Sequence, residues 1–145
     1  MKTYPIFLAV FAILTVLACK KETIEPSNQA SAPVNFIADQ EGFFQQQNGY
    51  TAEGMVRLGM DENNLQWLRL ASDFKASLST GAVTVYLSKS QALNLNASTD
   101  FLRLDLVKTP GEHFFKVNPA VNADFKYVIL WCASANVQFG NAVLN

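Results

Sequence analysis

The feature that most constrains the fold is a series of short runs of β-forming residues, which extends from Thr51 to Leu144. Several runs alternate apolar with polar side chains, and turn-forming clusters such as DENN (61–64) and TPG (109–111) separate them. Without a long helical period between them, they predict an all-β fold, a single antiparallel β-sandwich or barrel-like domain of about 6–8 short strands. The predicted strands are residues 51–60, 65–70, 82–87, 101–106, 114–117 and 127–132, with 137–139 and 142–144 as a last strand broken at Gly140-Asn141.

Two of these runs make more specific predictions. Residues 51–60 and 65–70 flank the DENN cluster, so we expect them to form a hairpin rather than a calcium loop, whose alternating oxygen ligands are missing. The run at 127–132 is apolar at both odd and even positions. That pattern is typical of a central strand covered on both faces.

The beginning of the chain has the features of an export signal. Lys2 supplies a positive charge, and residues 5–18 form an uncharged apolar run, shorter than the roughly 20 residues of a transmembrane helix. The run ends in VLAC (16–19), which resembles the lipobox of bacterial lipoproteins. The resemblance implies cleavage before Cys19 and acylation of that cysteine with palmitate-type chains, which would anchor the protein to a membrane. The alternative is an ordinary or uncleaved signal that happens to contain a cysteine.

These signals divide the chain into four parts. Residues 1–18 are predicted to be a lipoprotein signal peptide, and 19–35 a lipidated N-terminus and flexible tether, since the latter are polar, contain two prolines and lack a regular period. Residues 36–49 are predicted to be a lead-in segment, and 50–145 the β domain. We expect a lipid-anchored protein of the cell envelope. Lys20 after the lipobox, instead of aspartate, favours the outer membrane if there is one.

Composition excludes some functions. The net charge is −1 at pH 7, with 11 basic and 12 acidic residues, so the chain has no positive field for nucleic acid. No glycine-rich phosphate loop is present, and no serine or cysteine nucleophile stands near a plausible base. The sequence therefore does not predict a hydrolase. Oligomeric state is left open.

The cysteines and the single histidine define the candidate chemistry. Lipidation consumes Cys19, and strand parity places Cys132 on one face with Val128 and Leu130. Cys132 then has two readings, a small buried apolar residue or a reactive or ligating thiol. His113, predicted to be a solvated surface residue, is the only histidine, so one molecule cannot build a two-histidine, one-cysteine copper site. The residues name no cofactor; haem or a metal held by Cys132, His113, Met55 or Met60 stays an open alternative.

Four stretches of the chain carry a family resemblance: AEGMVRL (52–58), WLRLASDFKASLSTGAVTVYLS (67–88), GEHFFKVNP (111–119) and YVILWCASANVQFGNAVL (127–144). In this order they resemble the DM13 domain. The last stretch is the most specific, since its Trp-Cys step followed by Val and Phe is similar to the closing signature of that family. The resemblance covers roughly residues 50–144, and it implies an extracellular all-β module with a redox or electron-transfer role.

Carried over by position, the resemblance makes Cys132 the candidate redox thiol, with Trp131 and Phe139 as supporting signature residues. The DF step (73–74), Asp73 and Phe74, also matches the family. Ala135 departs from it, because many members have an aromatic residue there. No accompanying DOMON or cytochrome domain is present, so a redox partner would be another protein. The alternative is a non-catalytic binding or scaffolding module whose Cys132 is buried core.

Overall fold

The computed structural model describes residues 31–79, 81 and 83–145. Over those ranges the chain forms ten β-strands and no helix, which confirms the predicted all-β fold. No helix that could cross a bilayer is found within this part of the chain. The strands are β1 (Ile37–Gln46), β2 (Ala52–Glu53), β3 (Met55–Met60), β4 (Gln66–Leu70), β5 (Lys75–Ala76), β6 (Val83–Ser88), β7 (Phe101–Val107), β8 (His113–Lys116), β9 (Tyr127–Cys132) and β10 (Val137–Val143).

Eight strands form one antiparallel sheet in the order β7-β6-β9-β10-β1-β3-β4-β8, and β2 pairs separately with β5. The two edge strands, β7 and β8, approach each other, so the sheet is nearly closed into a barrel-like shape. Near closure leaves few unpaired strand edges. The inside is filled by apolar side chains from all eight strands, among them Phe44, Val56, Leu68, Val85, Leu104, Phe115, Leu130 and Phe139.

Strand β1 joins the two halves of the sheet. Its first part pairs with β3, from Ile37 opposite Met60 to Phe43 opposite Met55. Its last part pairs with β10, where Gln45 lies opposite Asn141. The segment predicted as a lead-in (36–49) therefore contains a strand at the centre of the sheet. A glutamine run carries little β signal of its own, and tertiary pairing decides its structure.

The predicted hairpin is confirmed, since β3 and β4 pair from Val56 opposite Leu70 to Met60 opposite Gln66. Two other details differ from the prediction. The run at 51–60 is split at Gly54, whose positive φ of 103° turns the chain between β2 and β3. The last strand is continuous, because a β-bulge between Gln138 and Gly140 absorbs the extra residue where a break was predicted.

Asp61 organises the turn between β3 and β4. Its carboxylate accepts hydrogen bonds from the backbone N–H groups of Asn63 (2.8 Å) and Leu65 (3.0 Å) and from the indole of Trp67 (3.0 Å). Burial by itself would raise the pKa of this carboxyl group, but these hydrogen bonds outweigh that effect. The positive charge of Lys116 acts in the same direction as the hydrogen bonds, so the pKa of Asp61 lies below its usual value.

The predicted signal peptide, Cys19 and most of the tether lie outside the described residues, as does Ala82 at the start of a predicted strand. Their assignment stays a prediction from sequence.

Candidate functional site

Cys132 is the last residue of β9 and is fully buried, with none of its surface exposed. It belongs to the apolar cluster inside the barrel, together with Val83, Val107 and Phe74. The apolar run of β9 brings it there, because Val128 and Leu130 precede it on the same face.

The hydroxyl group of Ser134 contacts the sulfur. Cys132 Sγ lies 3.2 Å from the hydroxyl oxygen of Ser134, and either group can donate the hydrogen bond. Ser134 is exposed in the turn that joins β9 to β10, which closes with the N–H of Asn136 donating to the carbonyl of Ala133 (3.3 Å). The sulfur is therefore buried directly beneath a short surface turn.

Ala135, the position that departs from the resemblance, lies exposed in the same turn.

The Trp-Cys signature places its residues on opposite faces of the sheet. Trp131 points away from the barrel interior and is half-buried, whereas Cys132 points inward. Phe139 is also inside, fully buried, and its ring stacks on that of Tyr50 with centroids 4.0 Å apart. The signature thus comprises two core positions and one residue on the outer surface.

Asp73 and Phe74 form a packed corner with Gly54. The Asp73 carboxylate accepts the N–H of Met55 at 3.1 Å, and the Phe74 ring lies in the core, 5.7 Å from that of Phe44. A Cβ at Gly54 would lie 2.6 Å from the Cα of Phe74, so only glycine allows this approach. These contacts give the pair a role in holding β2, β3 and β5 together.

His113 begins β8 and is half-buried. Its ring stacks on Phe115, with centroids 6.2 Å apart, and meets the edge of Phe74 at 6.1 Å. Its Nε2 lies 2.9 Å from the carbonyl oxygen of Thr109. Met55 and Met60, the other potential haem ligands, are half-buried on β3. Among the described residues, no group of three or more His, Cys, Asp or Glu side chains is arranged to hold a metal ion.

Sequence reasoning missed the polar residues of β10. Gln138 is 8% exposed and makes hydrogen bonds through both ends of its amide, and Asn141 is 1% exposed. Both residues interrupt an otherwise apolar segment, and this pattern is the sequence feature that could have identified them. Ser134, which contacts Cys132 through the turn, has no signal in a single sequence.

The fold and this site define a small all-β domain with a thiol enclosed near one end of a barrel-like sheet. A family model described as "Electron transfer DM13" matches residues 43–144. The chain belongs to the DM13 family. Searches of curated proteins and of solved structures found no match.

Proposed function

We propose that this domain transfers electrons at the cell envelope by thiol–disulfide exchange through Cys132, with other proteins as donor and acceptor. The family description supports an electron-transfer role, and Cys132 lies within the matched residues 43–144. The observation that carries the assignment to this residue is the 3.2 Å contact between its sulfur and Ser134 in the surface turn. This contact places the sulfur next to the exposed turn that joins β9 to β10.

The exchange takes three steps. The Cys132 thiolate attacks one sulfur of the acceptor's disulfide, forming a mixed disulfide and releasing an acceptor thiolate, which takes up the proton that Cys132 lost. A thiolate of a donor dithiol then attacks the Cys132 sulfur, releasing the second acceptor thiol. The donor's other thiolate closes the donor disulfide and releases Cys132. Two electrons pass from donor to acceptor, and Cys132 is regenerated.

Ser134 has a defined part in the first step. When Cys132 loses its proton, a Ser134 hydroxyl that donates to the sulfur stabilises the thiolate. The same hydrogen bond is weaker when the thiol is protonated, because the sulfur then carries no charge. Ser134 is thus a positioning residue that favours the reactive form.

We propose in addition that Cys19 carries the lipid that ties the domain to the membrane. The support is the lipobox resemblance at residues 16–19 and the polar, proline-containing segment that follows. Mass spectrometry of the mature protein tests this directly. An N-terminal acylated Cys19 is expected, with loss of membrane association in Cys19→Ser; an unmodified cysteine would contradict the anchor without affecting the proposed role of Cys132.

The exchange is tested with Cys19→Ser protein, in which Cys132 is the sole cysteine. Glutathione disulfide is added to the native domain, and intact-mass spectrometry follows the mixed disulfide; dithiothreitol then restores the free mass. We expect both steps under native conditions, a slower first step in Ser134→Ala, and no adduct in Cys132→Ala. A native domain that forms no adduct, although the urea-unfolded chain does, would refute the proposal.

A second function is favoured by one specific observation. The complete burial of Cys132 in the apolar cluster is what a non-catalytic binding or scaffolding module would show. In that case Cys132→Ala would leave the protein's role in the cell intact.

A further inference from the structure

The outer face of β9 and β10 holds two residues whose burial needs an explanation. Because Val128, Leu130 and Cys132 point into the barrel, Ile129 points outward, and Asn141 lies directly opposite it on β10. An outward-facing residue of a barrel is normally in water. Here Ile129 is fully buried, and Asn141 is 1% exposed.

The segment between β6 and β7, residues 89–100, is bound to this outer face through Gln138. The side chain of Gln138, next to Asn141 on the same outer face, binds it at two points. Its Oε1 accepts the N–H of Leu93 at 3.2 Å, and its Nε2 donates to the carbonyl of Gln91 at 2.9 Å. These bonds hold the segment against the outside of the sheet.

A cleft of about 530 Å³ opens where this segment meets the sheet. Its walls carry the half-buried indole of Trp131 and the side-chain amides of Gln47, Asn48, Gln91 and Gln138. None of the described residues that line it is charged. A concave site with an aromatic surface and several convergent neutral polar groups is typical of small-ligand binding sites.

The side-chain amide of Asn141, on the outer face of β10, has hydrogen-bonding groups that are not used within the described part of the protein. Neither its Nδ2 nor its Oδ1 makes a hydrogen bond among the described residues, although both atoms are buried. A buried amide without partners destabilises a fold, and leucine would fill the same space without that penalty. Gln45 of β1 lies opposite Asn141, and Gln138, which lines the cleft, is on the same face of β10.

We propose that this cleft binds a neutral polyhydroxylated ligand, a sugar unit, between the Trp131 indole and the amides of β1 and β10. The C–H face of a pyranose packs on an indole. Because the Gln138 amide already binds Gln47, Gln91 and Leu93, the amide that offers an unused donor and acceptor to the sugar hydroxyls is that of Asn141. When residues 89–100 lift from Gln138, the ligand reaches Asn141 and satisfies its amide. The neutral lining disfavours charged ligands. This site is on the opposite face of β9 from Cys132 and does not depend on the proposed electron transfer.

Saturation-transfer NMR with the mature chain tests the proposal, using maltotriose, cellotriose and diacetylchitobiose as probes at millimolar concentration. We expect saturation transfer to at least one sugar, weakened about tenfold or more by Trp131→Ala and by Asn141→Leu. Phe43→Ala is the matched control, because Phe43 is an aromatic residue, 59% exposed, on the same side of the sheet and outside the cleft. The Phe43→Ala variant should show the same saturation transfer to the sugars as the unaltered protein.

Asn141→Leu has a second readout that separates a binding role from a structural one. If the amide serves a ligand, its removal should raise Tm in the absence of sugar by about 4 °C or more. A lower Tm would mean that Asn141 supports the fold, and this would overturn its assignment to the site. Saturation transfer to none of the three sugars, or equal transfer in Trp131→Ala and the unaltered protein, would overturn the proposal as a whole.

Discussion

Replacement of Gly54 by alanine should destabilise this domain strongly, for two separable reasons. Gly54 has a φ of +103°, a conformation that L side chains rarely adopt. In addition, an alanine Cβ would lie 2.6 Å from the Cα and 2.8 Å from the N of Phe74, and 2.9 Å from the carbonyl carbon of Asp73. All three are backbone atoms, so no side-chain rotation can relieve the contact.

The expected magnitude follows from these two parts. Positive φ in a residue with a side chain costs about 1–2 kcal/mol. Forcing the backbone at residues 73–74 to move adds about 1–3 kcal/mol, as overpacking of a core does. The sum, about 2–5 kcal/mol, would lower Tm of a domain of this size by roughly 8–25 °C.

Gly111→Ala provides the matched control. Gly111 also has a positive φ, 95°, but apart from its chain neighbours none of the described atoms lies within 4 Å of where its Cβ would stand. The Gly111→Ala variant should therefore be destabilised only by the cost of the positive φ, about 1–2 kcal/mol. Urea unfolding followed by tryptophan fluorescence measures both variants, because Trp67 is 5% exposed and reports on the core edge.

The comparison of the two variants decides the reasoning. A Gly54→Ala variant no less stable than Gly111→Ala would show that the close approach to Phe74 is not what requires glycine. It would also remove the structural explanation of the Asp-Phe step.

Two further predictions concern Asp61 and Cys132. Asp61→Asn should lower stability at pH 7, since the carboxylate accepts hydrogen bonds from three donors. Folding lowers the pKa of Asp61, so the unaltered protein should be more stable than the variant above the unfolded-state pKa, about 3.9. This difference in stability should disappear as the pH falls through the pKa of Asp61 in the folded protein. Urea midpoints from pH 7 to pH 2 measure this, with Asp39→Asn, at an exposed position of β1, as control; a constant difference across that range would contradict it. Cys132→Ser should be less stable than Cys132→Ala by about 1 kcal/mol or more, because the apolar cluster would surround a hydroxyl; equal thermal midpoints would mean that Ser134 or water accommodates the serine.

The sequence was most informative where residues are both β-forming and regularly patterned. The prediction of a strand at 127–132 matches β9, and the hairpin at 61–64 was correct, because a polar turn cluster between two apolar runs has few other structures available. Membership of the DM13 family was also predicted from the Trp-Cys segment and is confirmed.

The sequence was least informative about features that depend on distant partners. Strand β1 contains EGFFQQ, which has few β-branched residues, and it is ordered by pairing with β3 and β10 on either side. The hydrogen bonds of Gln138 to residues 91 and 93 join segments more than forty residues apart, and the contact between Cys132 and Ser134 depends on the geometry of one turn. Neither leaves a pattern along the chain. The site residues carried over from the family therefore needed a structure to show which are core and which are near the surface.

The measurement that tests the account most directly is the rate at which Cys132 reacts with a disulfide reagent as urea is increased below the unfolding transition, in the Cys19→Ser protein. If the turn at 133–136 opens locally, with a free energy of about 2–4 kcal/mol, the rate should be roughly 30–1,000 times below that of the unfolded chain and almost independent of urea. A rate that rises with the full urea dependence of global unfolding would contradict the account, because the thiol would then react only when the barrel is lost.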